Sequence, residues 1–564
     1  MVIDIYRLAS QNGRIEDGSV LNLQDGRTGK SMSVWSLLLA LLPIAVILCM
    51  LIIWRKPADI SGIVGWAIVC VIAVAFFSTS IEVVARSTVA GLIKSFGVSL
   101  IVATSLLQMA FMEKTGALKR VIIFIKTIAS ENRGVQIMML NIGFGTLMVA
   151  VGATPVSLLP PILIAMGYST YVAIALPAIG YDSLCTYALL GVPIVAFVDV
   201  ANSFLGKGHE ITLSQAGRVF YMFLPLVSTM IGFCMLWIVG KWKGIKEGWL
   251  PCLITGAVIG IVSYFTNRVD NLVTLTGVLC GLAVILVMAL YLSVQGKKVF
   301  DKGKLTKEEL EYEKKYPLWK ALMPWTILIV VILVLNLPPQ LFKLLYRTWT
   351  FPVLGLSADG KPIPTRFLWN AYTWIFVSII LSIPFLKPTA SQIKETLKIW
   401  WKRAPRPVFA AAIFFAIGEV MNMSGVDVVT KKPVVASMVK VLADYSAQFF
   451  QGAYGAIVGF IGLFGGFITG SEASTIGMFA TYVMKTATNL KMDLFGLIVV
   501  TAGLAFGGGL ASVISPAKLQ NAAASIDRLG EENQVIRVAF VFSLILTFVT
   551  SVFVMILLST KVLL

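Results

Sequence analysis

The stretch GGFITGSEASTIG, residues 465–477, sets a carboxylate, Glu472, among the hydroxyls of Ser471, Ser474 and Thr475 inside a long apolar region. A charge at membrane depth costs about 2.5–3.5 kcal/mol or more, and such residues mark ion pathways and proton relays. Desolvation disfavours the charged form of a carboxyl group, which makes Glu472 a candidate carrier of a coupled proton. The neighbouring hydroxyls are candidate ligands for a small anion. Two plainer roles compete: Gly466 and Gly470 form a GxxxG helix-packing face, and Glu472 pairs with Lys485 or Lys518.

A second polar patch, VGATPVS at 151–157, contains Thr154, Pro155 and Ser157. Pro155 removes an N–H and disfavours helix at the residue before it. Backbone groups freed at that depth must be satisfied by protein or by a wet cavity. A helix starting after the break points its positive dipole end at the cavity, which suits a carboxylate. The competing role is a packing kink.

Two further apolar segments break. PAIGYDSLCTYALLGVP, 177–193, centres on Tyr181, Asp182 and Ser183, with Asp182 a second candidate for the coupled proton. FGGGLASVISPAKL, 506–519, places three glycines before Ser512, Ser515, Pro516 and Lys518. Consecutive glycines are expected to interrupt a helix and to expose backbone groups to a ligand. Lys518 is either a counter-charge for an anionic substrate or a lysine snorkelling to the interface. Glu419, Asn422, Ser424 and Gly425, with Lys94 and Asp199, fall near segment ends, where a carboxylate is expected to be wet and structural.

Other chemistries lack their residues. The single histidine, His209, lies in the loop GKGHEITLS, which argues against a buried histidine relay and deprives zinc or haem of a usual ligand. The six cysteines show no CxxC spacing and read as small buried hydrophobes. No GxxxxGK[ST] phosphate loop is present to power transport with ATP. No cofactor is expected, and an enzyme is disfavoured.

The elements that position these patches follow from composition. The 564 residues are 58% hydrophobic and 13% charged, with a mean hydropathy of +0.88, well below the charged fraction of a soluble domain. This predicts an all-α polytopic membrane protein in contact with lipid, with crossings near 34–54, 60–79, 90–112, 171–200, 219–239, 250–266, 271–294, 321–336, 367–386, 407–424, 494–525 and 538–560. The interrupted stretches 135–168 and 452–490 read as re-entrant hairpins. The net charge of +18 sits in short loops, as membrane orientation requires, rather than on a nucleic-acid-binding face. Loops 55–59, 113–134, 240–249, 295–320, 387–406 and 526–537 hold most of the Lys and Arg, so they are assigned to the cytoplasm. That leaves the N-terminus outside; the segment 1–33, without a cleavable signal pattern, carries Arg7, Arg14, Arg27 and Lys30 against the rule, offset by four acids.

With this assignment each half reads as three crossings, a hairpin and two crossings, starting from opposite sides. The expected units are an inverted repeat over 34–239, a linker with a Lys-rich cytoplasmic loop over 240–320, and a second repeat over 321–564. Paired interrupted segments in two halves point to the binding site of a secondary transporter.

At these residues the sequence resembles the L-lactate permease family. The resemblance runs from VWSLLLALLPIAVIL to the C-terminus, and rests on the loop from Lys243 to Trp249, the patch from Gly470 to Ser474, Asn422-Met423-Ser424-Gly425, and Ile514-Ser515-Pro516. It implies about twelve helices in a bacterial cytoplasmic membrane and symport of lactate or glycolate with a proton. Three positions depart from the family's pattern: Leu147 stands for a glutamate, Tyr181-Asp182 for Asn-Thr, and Ser512 for a lysine. A divergent member is implied, with Asp182 a replacement for the acid lost at Leu147. The expected function is proton-coupled transport of lactate or a related 2-hydroxymonocarboxylate. A sodium-coupled carrier of a dicarboxylate or other organic acid is the alternative, and a passive channel a third reading. The exact substrate, the stoichiometry and the oligomeric state stay open.

Overall fold

The computed structural model describes residues 34–128, 132–153, 155–206, 208–515, 518–519, 522–523, 525–528 and 530–560. The segment 1–33 and Thr154 therefore lie outside the described residues, as do the side chains of Ser157, Tyr181, Asp182 and Ser512. Among the described residues the chain is helical, with only isolated β-bridges such as Val353 with Ile363. Twelve helices among the described residues are long and apolar enough to cross a membrane.

In chain order the main helices of the first half are α1 (Val34–Ile52), α2 (Ala58–Phe76), α3 (Ile81–Lys94), α4 (Phe96–Lys114), α5 (Ala117–Lys126), α6 (Arg133–Ala150), α7 (Pro155–Ala165), α8 (Thr170–Gly180) and α9 (Ala188–Leu205). They are followed by α10 (Leu213–Thr266), α11 (Thr276–Val294) and α12 (Lys307–Lys315). The second half supplies α13 (Leu318–Asn336), α14 (Ala371–Leu386), α15 (Ala390–Arg403), α16 (Pro405–Met423), α17 (Met438–Phe450), α18 (Tyr454–Thr469), α19 (Glu472–Asn489), α20 (Leu494–Ser512) and α21 (Glu532–Thr560).

Burial sorts these helices by depth. In α6 and α20, 89% of the spanning window is buried, against 22% in α1 and 33% in α2. The first arm of one interrupted stretch and the helix that follows the other thus lie at the centre, and the most hydrophobic helices face outward, as a lipid solvent demands. Both interrupted stretches are helix–break–helix: α6 ends before Gly152, at φ +89°, and α7 begins on Pro155, while α18 ends at Gly470, at φ +69°, and α19 begins at Glu472. Proline at the first helical position loses no internal bond, and a glycine closing a helix in the left-handed region avoids the Cβ clash.

Several expected boundaries move. The crossing placed at 90–112 divides at Ser95 into α3 and α4. The loop expected after residue 424 contains α17, capped by Ser437, whose Oγ accepts from the Lys440 N–H. The crossings at 219–239 and 250–266 run together as α10, broken by non-helical torsions at Lys241. The crossing placed at 494–525 ends at Ser512.

The larger correction concerns the three glycines, which stay helical within α20. Their missing side chains let α18 approach backbone to backbone: a Cβ on Gly466 would meet the Gly508 backbone, and one on Gly507 would meet the Gly459 carbonyl. The packing gained by this approach outweighs a propensity loss of about 1 kcal/mol per glycine. The small-residue face on α18 is accordingly Gly459, Gly462 and Gly466; Gly470 is the cap and not part of it.

Candidate functional site

Ser471 begins α19 as its N-cap, its Oγ accepting from the Ser474 N–H at 3.5 Å. Glu472 follows in the first turn, where the helix dipole favours a negative group, and is 1% exposed. Its Oε1 accepts a hydrogen bond from Thr186 Oγ1 at 2.7 Å, while Oε2 is buried with no partner. A Cβ on Gly509 would come within 2.8 Å of that Oε2 and 3.3 Å of Cys185 Cβ. The carboxyl group therefore lies in a slot between α20 and the 3-10 segment Tyr181–Tyr187. Neither suggested ion pair carries it: Lys485 donates to Asn422 Oδ1 at 2.9 Å, and Thr186 is the residue found against the carboxyl.

The predicted ligands around the turn divide by what they do. Thr475 Oγ1 donates to the Ser471 carbonyl at 2.8 Å and contacts Thr469 Oγ1 at 3.1 Å, so it braces the turn. Ser474 Oγ is buried without a partner. Ser515 joins the group, its Oγ lying 3.5 Å from where a Cβ on Gly470 would stand. Lys518 follows in a short helical stretch, its N–H donating to the Ser515 carbonyl at 3.1 Å.

The first break is built differently. Pro155 opens α7, and Gly152 packs against Ser105 of α4, Ile375 of α14 and Leu189 of α9. Leu147 backs onto Gly281 of α11. Val149 and Val156 share one buried cluster with Leu519, Ala522 and Ala523. Each break is thus covered by the broken crossing of the other half: Glu472 by Cys185 and Thr186, and the Pro155 turn by the chain after α20. The 3-10 segment links the two, since Ser183 Oγ reaches Thr146 Oγ1 of α6 at 3.4 Å while Thr186 reaches Glu472.

Strain is stored beside this link. Leu189, Leu190 and Gly191 follow one another at φ 52°, 59° and 77°, and left-handed torsions cost of order 1–3 kcal/mol per non-glycine residue. Two residues before them stands Tyr187, fully buried, whose hydroxyl donates to Asn267 Oδ1 at 2.6 Å. Asn267 in turn donates to the Ser263 carbonyl at 2.9 Å and to Thr276 Oγ1 at 3.2 Å.

The groups placed near segment ends form ion pairs, and of the two carboxylates only Glu419 is buried, while Asp199 is partly exposed. Lys94 donates to Glu419 at 2.7 Å, and Glu419 is only 8% exposed. Asp199 accepts from Arg366 Nη1 at 2.8 Å. Sequence reasoning missed Thr186 and Cys185, although the polar run SLCTY inside a broken apolar segment was the available signal.

A family model described as L-lactate permease matches residues 36–561. The L-lactate permease of Escherichia coli K12 is 23% identical over 567 residues, 94% of this chain and 98% of that protein. The glycolate permease GlcA of the same strain is 23% identical over 553 residues, covering 90% and 93% of the two chains. The L-lactate permease of Bacillus subtilis 168 is 23% identical over 558 residues, covering 91% and 94%.

Proposed function

The chain belongs to the L-lactate permease family, and from that premise we propose that it carries lactate, glycolate or a related 2-hydroxymonocarboxylate across a bacterial cytoplasmic membrane together with a proton. It is a multi-pass membrane transporter rather than an enzyme, as its relatives are permeases. The observation that carries the coupling is the Glu472 carboxyl: one oxygen is fixed by Thr186, and the other is buried and unpartnered. An unpaired buried oxygen is costly when charged and tolerable when it bears a proton. Loading that proton and the anion together would let the site cross the membrane interior with little net charge exposed.

In this reading the two interrupted stretches are re-entrant hairpins of inverted repeats over 34–239 and 321–564, joined by 240–320, with the N-terminus outside. Thr154 and Ser157 at one turn, and Ser471, Ser474, Ser512, Ser515 and Lys518 at the other, supply donors to the substrate carboxylate; Pro155 and Thr475 shape the two turns that present them, and Tyr181 and Asp182 complete the site. Asp182 is the second acid available to the proton. Proteoliposomes with imposed gradients test this. Accumulation of labelled lactate or glycolate driven by an inward proton gradient is expected; accumulation that requires sodium and ignores the proton gradient would reject it.

A further inference from the structure

A cavity of about 760 Å³ opens between α16 and α19, away from the Glu472 slot, and is walled by α3, α9, α17 and residues 359–364 and 424–437. Six lysines line it, Lys94, Lys361, Lys431, Lys432, Lys440 and Lys485, against three carboxylates. All three carboxylates are already engaged. Glu419 holds Lys94 at 2.7 Å, Asp199 holds Arg366 at 2.8 Å, and Asp359 accepts from Ser357 and lies 3.7 Å from Lys361. Lys485 instead donates to the neutral Asn422 amide oxygen at 2.9 Å and has no carboxylate partner among the described residues. Lys440 and Lys432 on the rim carry no ion pair there either.

We propose that this cavity is a carboxylate-binding site in which the Lys485 ammonium and the Asn422 amide N–H₂ hold the ligand's carboxylate. Because Lys485 donates to Asn422 Oδ1, the Asn422 Nδ2 is left to serve as a second donor beside the ammonium, and two donors suit the two oxygens of a carboxylate. Thr481 stands one helical turn from Lys485 and lines the same wall, offering a hydroxyl partner for a 2-hydroxy group. The volume suits a short mono- or dicarboxylate with bound water, and the unpaired rim lysines raise the local anion concentration. Lys485 and Glu472 share α19, thirteen residues apart, about 20 Å along the helix axis. One rigid element therefore joins an anion-receiving site to the proton site, and this step rests on the transport reading above.

Equilibrium binding of labelled glycolate and lactate to the purified full-length protein, at low and high salt, tests the site. K485Q and N422D are expected to weaken binding at least about tenfold, the loss of one charged hydrogen bond, because the new aspartate would neutralise Lys485 in place of the ligand. K485R is expected to retain binding. Saturating ligand should also protect Lys485 of the wild type from acetylation, read by mass spectrometry, which keeps the test alive if K485Q does not fold. Undiminished binding by both variants, or no protection, overturns this site alone. A wild-type protein that binds no small carboxylate overturns the transport reading and this site with it.

Discussion

Thr186 donates to Glu472 at 2.7 Å across 286 positions of sequence, tying the broken crossing of the first half to the break of the second. The bond orients a carboxyl group whose other oxygen is buried beside Gly509 and Cys185. Proton coupling through Glu472 makes E472Q the sharpest variant: Gln still accepts from Thr186 but cannot bind and release a proton. Substrate accumulation under an inward proton gradient should disappear, while counterflow exchange of labelled for unlabelled substrate persists. Equal accumulation by wild type and E472Q would remove Glu472 from the mechanism.

Removing the donor should act on both stability and transport. T186V leaves Glu472 Oε1 without its partner, a loss of about 1–3 kcal/mol for a buried group, so thermal unfolding in detergent should begin at lower temperature and uptake should fall. T186S keeps the hydroxyl and should restore both. A T186V protein with wild-type uptake and melting would make the bond incidental.

The glycines of α18 and α20 separate packing from chemistry. A Cβ at Gly466 would collide with the Gly508 carbonyl, which cannot swing aside, so G466A should cost about 1–3 kcal/mol through overpacking and reduce the folded yield. At Gly509 the added methyl would stand 2.8 Å from Glu472 Oε2. G509A should fold but transport poorly, because the methyl occupies the slot beside the carboxyl. Melting temperature and uptake, measured on both variants, should therefore rank them in opposite order.

The sequence carried the helical architecture and both breaks, because hydrophobic runs, Pro155 and the polar turn around Gly470 are local signals. Local signals failed at Gly507–Gly509, where helix propensity was overruled by the approach of α18, a partner about forty residues away in the chain. They failed again at Thr186, since nothing near that residue tells which carboxylate it will face. The division of labour between Thr475, which braces the turn, and Ser474, which is left unpaired, likewise depends on the tertiary surroundings. Glu419 was legible as a carboxylate near a helix end but not as the partner of Lys94, 325 positions away.

Outside the membrane-spanning helices, α12 is docked by charge. Thr306 and Glu309 form a capping box, Lys126 of α5 bonds the Glu309 carboxylate, and Arg120 holds Glu313 at 3.0 Å. Partial burial pushes the Glu309 carboxyl up, but the Lys126 ammonium and the Thr306 N–H and hydroxyl outweigh it and hold the group below its ordinary value of 4.5. A depressed carboxyl stabilises the docked form above the unfolded value and loses that contribution as pH falls through the folded one. Docking of 307–315 should thus be constant from neutral pH down to about 4.5 and weaken only below it. Hydrogen exchange should report this, with E309Q exchanging roughly 2- to 5-fold faster at neutral pH, as expected for a partly exposed pair. Loss of protection between pH 7 and 5 would contradict the assignment.

Tyr187 supplies the last test, because its hydroxyl bonds Asn267 just before the strained turn at Leu189–Gly191 and the bond is expected to anchor that turn. Y187F keeps the ring in its buried site and deletes only the donor, leaving Asn267 Oδ1 without that bond at a cost of about 1–3 kcal/mol. The left-handed torsions then lose part of what holds them, and relaxation of the turn would draw Thr186 away from Glu472. Y187F should therefore melt earlier and also couple less tightly, with fewer substrate molecules accumulated per unit of proton gradient. A variant that melts earlier yet keeps full coupling would show that the strained turn supports the fold without positioning the carboxyl.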